Sequence, residues 1–420
     1  MRIAVVGTGI SGTASAWLLT RAGHEVHVFE REARLGGHTN TVATPRADGG
    51  ELGIDTGFIV YNEATYPLLV RLFDELGVAT QASDMSWSLR CERCDLEYAG
   101  SARGIAAQPG RLATPGYLRM LSDIARFNRL GRRLVDDPRT ANLTIERFLE
   151  VAGFGHGFRA HYLLPMAGAI WSSGTGAIGA FPLGTLLRFF ANHGLLGVST
   201  HHQWRTVVGG TSSYLVPLTA PYQDRIHAAM PVRSLERDTG AARLRLADGS
   251  VHSFDAVVVA THADQALALL ADPTPREREL LGAWTYSDND TYLHTDTALL
   301  PRRRAAWASW NYLLEDCRTP TDRVSLSYHM NRLQDLDEPS EYVVTLNPAT
   351  PPAADRTLRR LRYTHPGYTG ASVATHDHLD ALNGQRRTFY AGAYQRYGFH
   401  EDGLWSAVRA VGHLGVRWPT

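Results

Sequence analysis

The first forty residues restrict the fold more than any other part of this chain. An apolar run over 3–6 leads into Gly7, Gly9 and Gly12 in GxGxxG spacing, and then into a helical run through Ala14, Ala16, Leu18 and Leu19 that ends at Gly23. A second apolar run over 26–29 stops on Glu30. Strand, glycine turn, helix and strand in this order make the β-α-β unit of a parallel α/β sheet that binds a dinucleotide. Gly7 permits the tight turn, Gly9 lets backbone approach a pyrophosphate, and Gly12 lets the helix lie close on the strand. Ile10 and Ser11 open the helix, where unpaired N–H groups and the helix dipole favour phosphate. Glu30 is placed to accept hydrogen bonds from ribose hydroxyls, which suits FAD or NAD and repels the 2′-phosphate of NADP. A glycine-rich turn in an ordinary α/β unit has no use for that carboxylate.

The continuation selects FAD. After Glu30 and Arg31 come Leu35, Gly36, Gly37, His38 and Thr39, and paired glycines let the chain pass close to the same ligand a second time, a wrap that a nicotinamide cofactor does not call for. The acidic residue followed by LGG resembles the second signature of the flavin amine oxidase superfamily, whose relatives include protoporphyrinogen oxidase and phytoene desaturase-like enzymes. The run Ile54, Asp55, Thr56, Gly57, Phe58, Ile59, Val60 is similar to the segment that this family lays against the flavin ring. More narrowly, GGHTNT, DTGFIVYNEATYP, ATHADQALALL, LHTD, ASWNY and YGFHEDG resemble a bacterial subgroup of NAD/FAD-binding proteins found with cyclopropane fatty acid synthase-like methyltransferases. That likeness runs from residue 1 to about 407. It implies a Rossmann-type FAD-binding domain of the amine oxidase kind, an α/β fold, interleaved with an α+β substrate domain. It further implies that Val232 reads the adenine through its backbone, and that a closing helix entered through Gly392, Gly403 and Leu404 faces the flavin's pyrimidine carbonyl. Family members commonly carry an acidic residue after the Ala-Gly pair, where this chain has Ala393.

A chain of 420 residues exceeds the usual single-domain size. We therefore expect 1–80, 200–272 and 385–420 to form a discontinuous FAD domain, with 81–199 and 273–384 forming the substrate domain. The 42 basic and 42 acidic residues cancel, which gives no electrostatic reason to expect nucleic acid as a partner. All the basic residues are arginine, so no lysine ammonium acts anywhere in the chain. Three cysteines suit a reducing cytoplasm. The last is Cys317, which removes the cysteine linkage near the C-terminus that some flavoproteins use and leaves FAD non-covalent. Cys91 and Cys94 form a CxxC without a second pair or a neighbouring His in the sequence. We read them as a β-hairpin turn and expect no metal. The apolar start carries the cofactor strand and is not expected to be a cleaved signal, and no run reaches about 18 apolar residues. The expected location is the cytoplasm, at most peripheral to a membrane.

Along the chain, the spacing predicts a helix over 65–77, a hairpin over 87–98, loop over 100–116, and helices over 117–127, 143–152, 158–171 and 183–193. The last of these is apolar nearly all round, so Phe189 and Phe190 are candidates to line an apolar cavity. A helix over 212–221, a β-meander over 235–254 and a central parallel strand over 256–260 follow, with Thr261 and His262 at its ligand-binding end. Alternation over 291–297, 324–328 and 342–346 predicts an antiparallel sheet. His294 and Asp296 share a strand face and are read as a hydrogen-bonded pair; His376, Asp377 and His378 lack further ligands.

FAD carries the redox chemistry, so no nucleophile is required, only a C–H donor held about 3.5 Å from flavin N5. We expect hydride removal from an apolar substrate, a fatty-acyl or other lipid chain. The alternatives are amine oxidation, double-bond isomerisation, or a non-catalytic flavoprotein partnering a lipid-modifying enzyme. Absence of lysine speaks against amine oxidation, because many amine oxidases of the superfamily hold a lysine near flavin N5. His38, His400 and Glu401 are the candidate acid/base groups, and Trp310, Tyr328 and Tyr397 join Phe189 and Phe190 as pocket candidates.

Overall fold

In the computed structural model, which describes residues 1–46, 49–140, 143–197 and 202–418, the opening run forms the strand Arg2–Val6 at the centre of a five-stranded parallel sheet. Glu25–Phe29 and then Ile226–His227 lie on one side of it, and Ala256–Val259 and Thr388–Tyr390 on the other. Side chains alternate across a strand, so this sheet feeds two cores. Ala4, Val6, Phe29, Val257 and Val259 belong to one, while Ile3, Val5, Val26, Val28 and Val258 belong to the other. Apolar cover on both faces explains why these strands read as continuous apolar runs.

The opening helix, Ile10–Arg21, packs against the closing helix, His400–Gly412. A side chain at Gly403 would put its Cβ 2.7 Å from Ile10 Cγ2 and 2.9 Å from Ser11 Oγ, so glycine is what lets the helices touch. The two ends of the chain therefore meet at the carboxyl edge of the parallel sheet.

A second sheet has seven strands in the order Thr357–Gly367, Thr285–His294, Val343–Leu346, Leu326–His329, Trp310–Leu314, Trp87–Cys91 and Leu96–Ala99. The expected hairpin over 87–98 is present, but it does not stand apart, because Trp87–Cys91 pairs in parallel with Trp310–Leu314. The sheet is thus mixed rather than antiparallel. Thr357–Gly367, its eleven-residue edge strand, had no counterpart in the expected elements.

The helix expected over 158–171 is interrupted by a π-turn, Arg159–Leu163, before Leu164–Trp171. Pro165 has no N–H to offer the carbonyl of His161 four residues back, and that carbonyl accepts the Tyr98 hydroxyl at 2.7 Å instead. The expected loop over 100–116 contains the helix Ala102–Ile105, capped by Ser101, and a 3-10 turn, Pro109–Ala113. The helix expected over 212–221 is a 3-10 turn, Thr211–Tyr214, running into Leu215–Thr219 and a second 3-10 stretch, Ala220–Arg225. The domain boundary expected between 199 and 200 lies outside the described residues. Among the described residues no helix is long and apolar enough to cross a membrane.

Candidate active site

A cavity of about 1870 Å³ runs from the carboxyl edge of the parallel sheet to the face of the seven-stranded sheet. At its outer end the wall is backbone. Gly7 adopts φ +102°, and a Cβ there would meet the Ala260 carbonyl oxygen at 2.6 Å. A Cβ on Gly12 would sit 1.9 Å from the Gly7 carbonyl oxygen. Gly9 differs: a Cβ there would meet nothing within 4 Å, so the turn presents open space to the cavity. No side chain caps the helix that starts beside it, which leaves its first N–H groups for an anion. Gly36 and Gly37 turn with φ +102° and +58°, and a Cβ on Gly37 would lie 3.2 Å from Gly9 Cα. The Arg34 guanidinium fixes this second glycine turn by donating to the carbonyls of Leu35, Gly37 and Thr39.

Glu30 also lines this end. One carboxylate oxygen accepts from the Thr8 N–H at 3.0 Å and its hydroxyl at 2.5 Å; the other accepts from the Glu32 N–H at 3.0 Å. These bonds hold the carboxylate at the strand end, with Val232 lining the same region and Arg31, paired with Glu32, at the exposed rim.

Further in, Thr56, Gly57 and Phe58 line the cavity. The Phe58 N–H donates to the His38 carbonyl at 2.7 Å, and a Cβ on Gly57 would lie 2.2 Å from that oxygen. The His400 imidazole stacks on Phe58 at 3.6 Å, with Nε2 2.9 Å from Thr39 Oγ1 and 3.3 Å from the Tyr214 hydroxyl. His38 is different, because its buried Nε2 has no partner. Its ring faces His365 at 5.2 Å and Tyr363 at 5.1 Å, with His262 at 6.5 Å. Burial, reinforced by neighbouring imidazoles, holds His38 and His262 down at about 4 and His365 and His400 at about 3. At neutral pH this wall is therefore uncharged.

The inner end is a chamber walled by Trp87, Tyr98, Leu121, Ile124, Tyr162, Met166, Ile170, Phe189, Trp310 and Tyr328. Trp310 and Tyr328 meet edge to face at 5.2 Å. Among the described lining residues the only carboxylates are Glu30 and Glu32, both at the outer end.

Of the residues predicted from sequence, Phe189, Trp310, Tyr328 and Tyr397 line this cavity, and so does Gly392. Phe190 does not: it is fully buried in the helical core, edge-on to Phe127. Neighbours on a helix point about 100° apart, so only one of the two phenylalanines can face the chamber. Glu401 also points away. Its carboxylate oxygens accept the N–H groups of Leu68 and Leu69, each at 3.0 Å, at the start of the helix Pro67–Leu76. Gly403 and Leu404 pack between the two helices rather than on the cavity.

Tyr363 and His365 escaped sequence reading, as did Trp87, Tyr162 and the bracing role of Arg34. On the strand Thr357–Gly367, Arg360 and Arg362 pair with Asp290 and Asp288 of the neighbouring strand. The period-two alternation that places Tyr363 and His365 opposite them was the available signal. His294 is a hydrogen-bonded strand residue, accepting the Asp296 N–H and meeting Thr345 Oγ1, and His376 bonds the Tyr394 carbonyl. The CxxC lies at the turn of the expected hairpin, but it does have a histidine beside it. The side chains of His161 and Cys317 reach it, so that four potential ligand atoms lie within 4.8 Å of one another.

The glycine cradle, the braced Glu30 carboxylate and the partnerless His38 Nε2 together fit an extended FAD. Comparisons with known proteins bear on the same point. A family profile described as flavin containing amine oxidoreductase matches residues 10–414. A D-amino acid dehydrogenase of Dechloromonas aromatica is 43% identical over 54 residues, 13% of this chain and only 12% of that protein's length. Among solved structures, a CLA-producing fatty acid isomerase from P. acnes superposes with a TM-score of 0.67 at 16% identity, covering 98% of each chain. Cyclohexylamine oxidase from Brevibacterium oxydans IH-35A gives 0.68 at 16% identity over 99% of this chain and 98% of its own. At such identities the superpositions establish a shared fold.

Proposed function

This chain belongs to the flavin containing amine oxidoreductase family, and from that premise we propose that it removes hydride equivalents from an apolar substrate, a fatty-acyl or other lipid chain, beside non-covalently bound FAD. FAD supplies the two-electron acceptor; the protein supplies position and electrostatics. Glu30 would hold the adenosine ribose, Val232 the adenine, and the N–H groups from Ile10 to Gly12 the pyrophosphate. Thr56, Gly57 and His38 would adjoin the ring, with His38 Nε2 as the group free to hold or move a proton there. His400, whose Nε2 meets Thr39 and Tyr214, fixes the wall. We assign 1–80, 200–272 and 385–420 to the cofactor part and the remainder to the substrate part.

The observation that carries the substrate class is the inner chamber, which is mainly aromatic and aliphatic with neutral polar groups such as Ser86 and Asn128 among them, and with carboxylates confined to the ribose end. An ammonium substrate would be desolvated there without an anion to pair with, whereas an acyl chain gains about 25 cal/mol per Å² of apolar surface buried. The fold alone is neutral, since both a fatty acid isomerase and an amine oxidase share it.

Anaerobic mixing of the purified flavoprotein with oleate or linoleate, and separately with cyclohexylamine, tests this reading. Loss of the oxidised-flavin absorbance with a fatty acid is expected. Bleaching by the amine alone would overturn it. A shifted double bond with no net bleaching would identify isomerisation, and flavin inert to every probe would favour a non-catalytic partner of a lipid-modifying enzyme.

A further inference from the structure

We propose that Cys91, Cys94, His161 and Cys317 form a structural zinc site that clamps the hairpin edge of the seven-stranded sheet to the helical wall of the chamber. Three sulfurs and one imidazole nitrogen, all within 4.8 Å of one another, are the Cys3His donor set of closed, four-coordinate zinc. One sulfur–nitrogen pair already has the spacing of a bound ion. With Zn–S of about 2.3 Å and Zn–N of about 2.0 Å, a tetrahedral ion sets S···N at about 3.5 Å and S···S at about 3.8 Å. Cys94 Sγ lies 3.5 Å from His161 Nε2.

Each ligand is delivered by a different device. Cys91 ends a strand and Cys94 sits in the turn after it, where Asp95 takes φ +52°. Cys317 follows the strand Trp310–Leu314, whose end is tied to the hairpin by Glu92 N–H to the Leu314 carbonyl at 2.8 Å and Arg93 N–H to the Glu315 carbonyl at 3.1 Å. His161 lies in the π-turn that Pro165 and the Tyr98 hydroxyl create, and single π-turns recur at functional positions. Three segments far apart in sequence thus converge on one point with complementary donors. A hairpin turn needs none of them.

Binding releases the thiol protons to solvent and takes the imidazole in its neutral form. The clamp sits behind the chamber: Trp87 shares a strand with Cys91, and Tyr162 is next to His161. Metal occupancy therefore fixes the chamber wall while leaving the FAD cradle alone.

The test is metal analysis of protein purified without chelator under reducing, anaerobic conditions. About one zinc per chain is expected, falling below about a tenth in Cys317→Ser and His161→Ala with flavin content retained. His161→Cys, which keeps four donors, should retain the metal, a rescue that simple side-chain packing would not produce. Replacement of zinc by cobalt should give thiolate-to-cobalt absorption in the wild type and not in Cys317→Ser. A wild-type chain free of zinc that gives no such absorption on titration with cobalt overturns the proposal. So does a Cys91–Cys94 disulfide under these conditions, or zinc content unchanged in both loss variants.

Discussion

The outer and inner ends of the cavity are made by different means. The outer end is backbone: two glycine turns and the start of the opening helix, all within the first forty residues, closed by the braced carboxylate of Glu30. The inner end is side chain, drawn from segments around residues 87, 121, 162, 189, 310 and 328. A ligand held by backbone demands glycine wherever the chain comes close, and those glycines sit at fixed spacing. A chamber made of side chains demands only that distant strands and helices keep register, and no local spacing records that.

The sharpest way to break this comparison is a pair of glycine substitutions. Gly12→Ala places a Cβ 1.9 Å from the Gly7 carbonyl oxygen, an overpacking expected to cost about 3 kcal/mol of stability and to be seen as a lowered unfolding midpoint. Gly9 has φ −61° and open space around its Cβ position. Gly9→Val should therefore fold as the wild type but retain flavin at least about tenfold more weakly. Equal effects from the two would mean that the turn is only a packing device.

Acid should separate the regions next. Between the ordinary histidine value of 6.5 and the buried values of about 3 to 4 for His38, His262, His365 and His400, the unfolded chain binds more protons than the folded one. Their contribution is fully present above about 6.5 and is lost as pH falls through that window. Three buried carboxyls oppose it: Asp402 is raised to about 7, Asp55 to about 6, and burial raises Glu401 as well, so the folded form gains protons there as pH falls. The four imidazoles outweigh the three carboxyls, and His193 and His294, also held down at about 4 by burial, add to the net loss. His365→Gln should flatten the fall in unfolding temperature between pH 7 and pH 4.5; an unchanged slope would refute a neutral histidine wall.

The legibility of the molecule in its sequence follows the same division. The parallel sheet, its two faces and the FAD turns were readable because continuous apolar strands and glycine spacing are local. The strand Thr357–Gly367 was not, because its arginines pair with Asp288 and Asp290 across the sheet and make the segment look like loop. The chamber residue Trp87 depended on a parallel pairing between residues 87–91 and 310–314, and Tyr162, edge-on to it, on the π-turn Arg159–Leu163; no periodicity announces either. Phe190 and Glu401 were misplaced for a third reason. Proximity in sequence to a motif does not fix the side of a helix from which a side chain leaves.

Trp310→Ala sharpens the comparison from the chamber side. Flavin content should be unchanged, while the rate constant for reduction by an acyl substrate divided by its apparent dissociation constant falls about 10- to 200-fold, the range for lost apolar contacts. Loss of flavin instead would show that the two ends are not separable.

The smallest expected effect is at Glu401, which neighbours the flavin-facing segment in sequence but serves a different element. Pro67 opens the helix Pro67–Leu76 without an N–H, and the next two N–H groups both go to the Glu401 carboxylate. Burial raises this carboxyl while those two bonds hold it down. A glutamine keeps one acceptor oxygen and loses the charge, so Glu401→Gln should cost about 1 kcal/mol, the size of a helix cap, and leave flavin reduction at the wild-type rate. Slowed reduction at full stability would be the opposite pattern. It would return Glu401 to the chemistry and make the closing helix part of the reacting wall rather than the frame behind it.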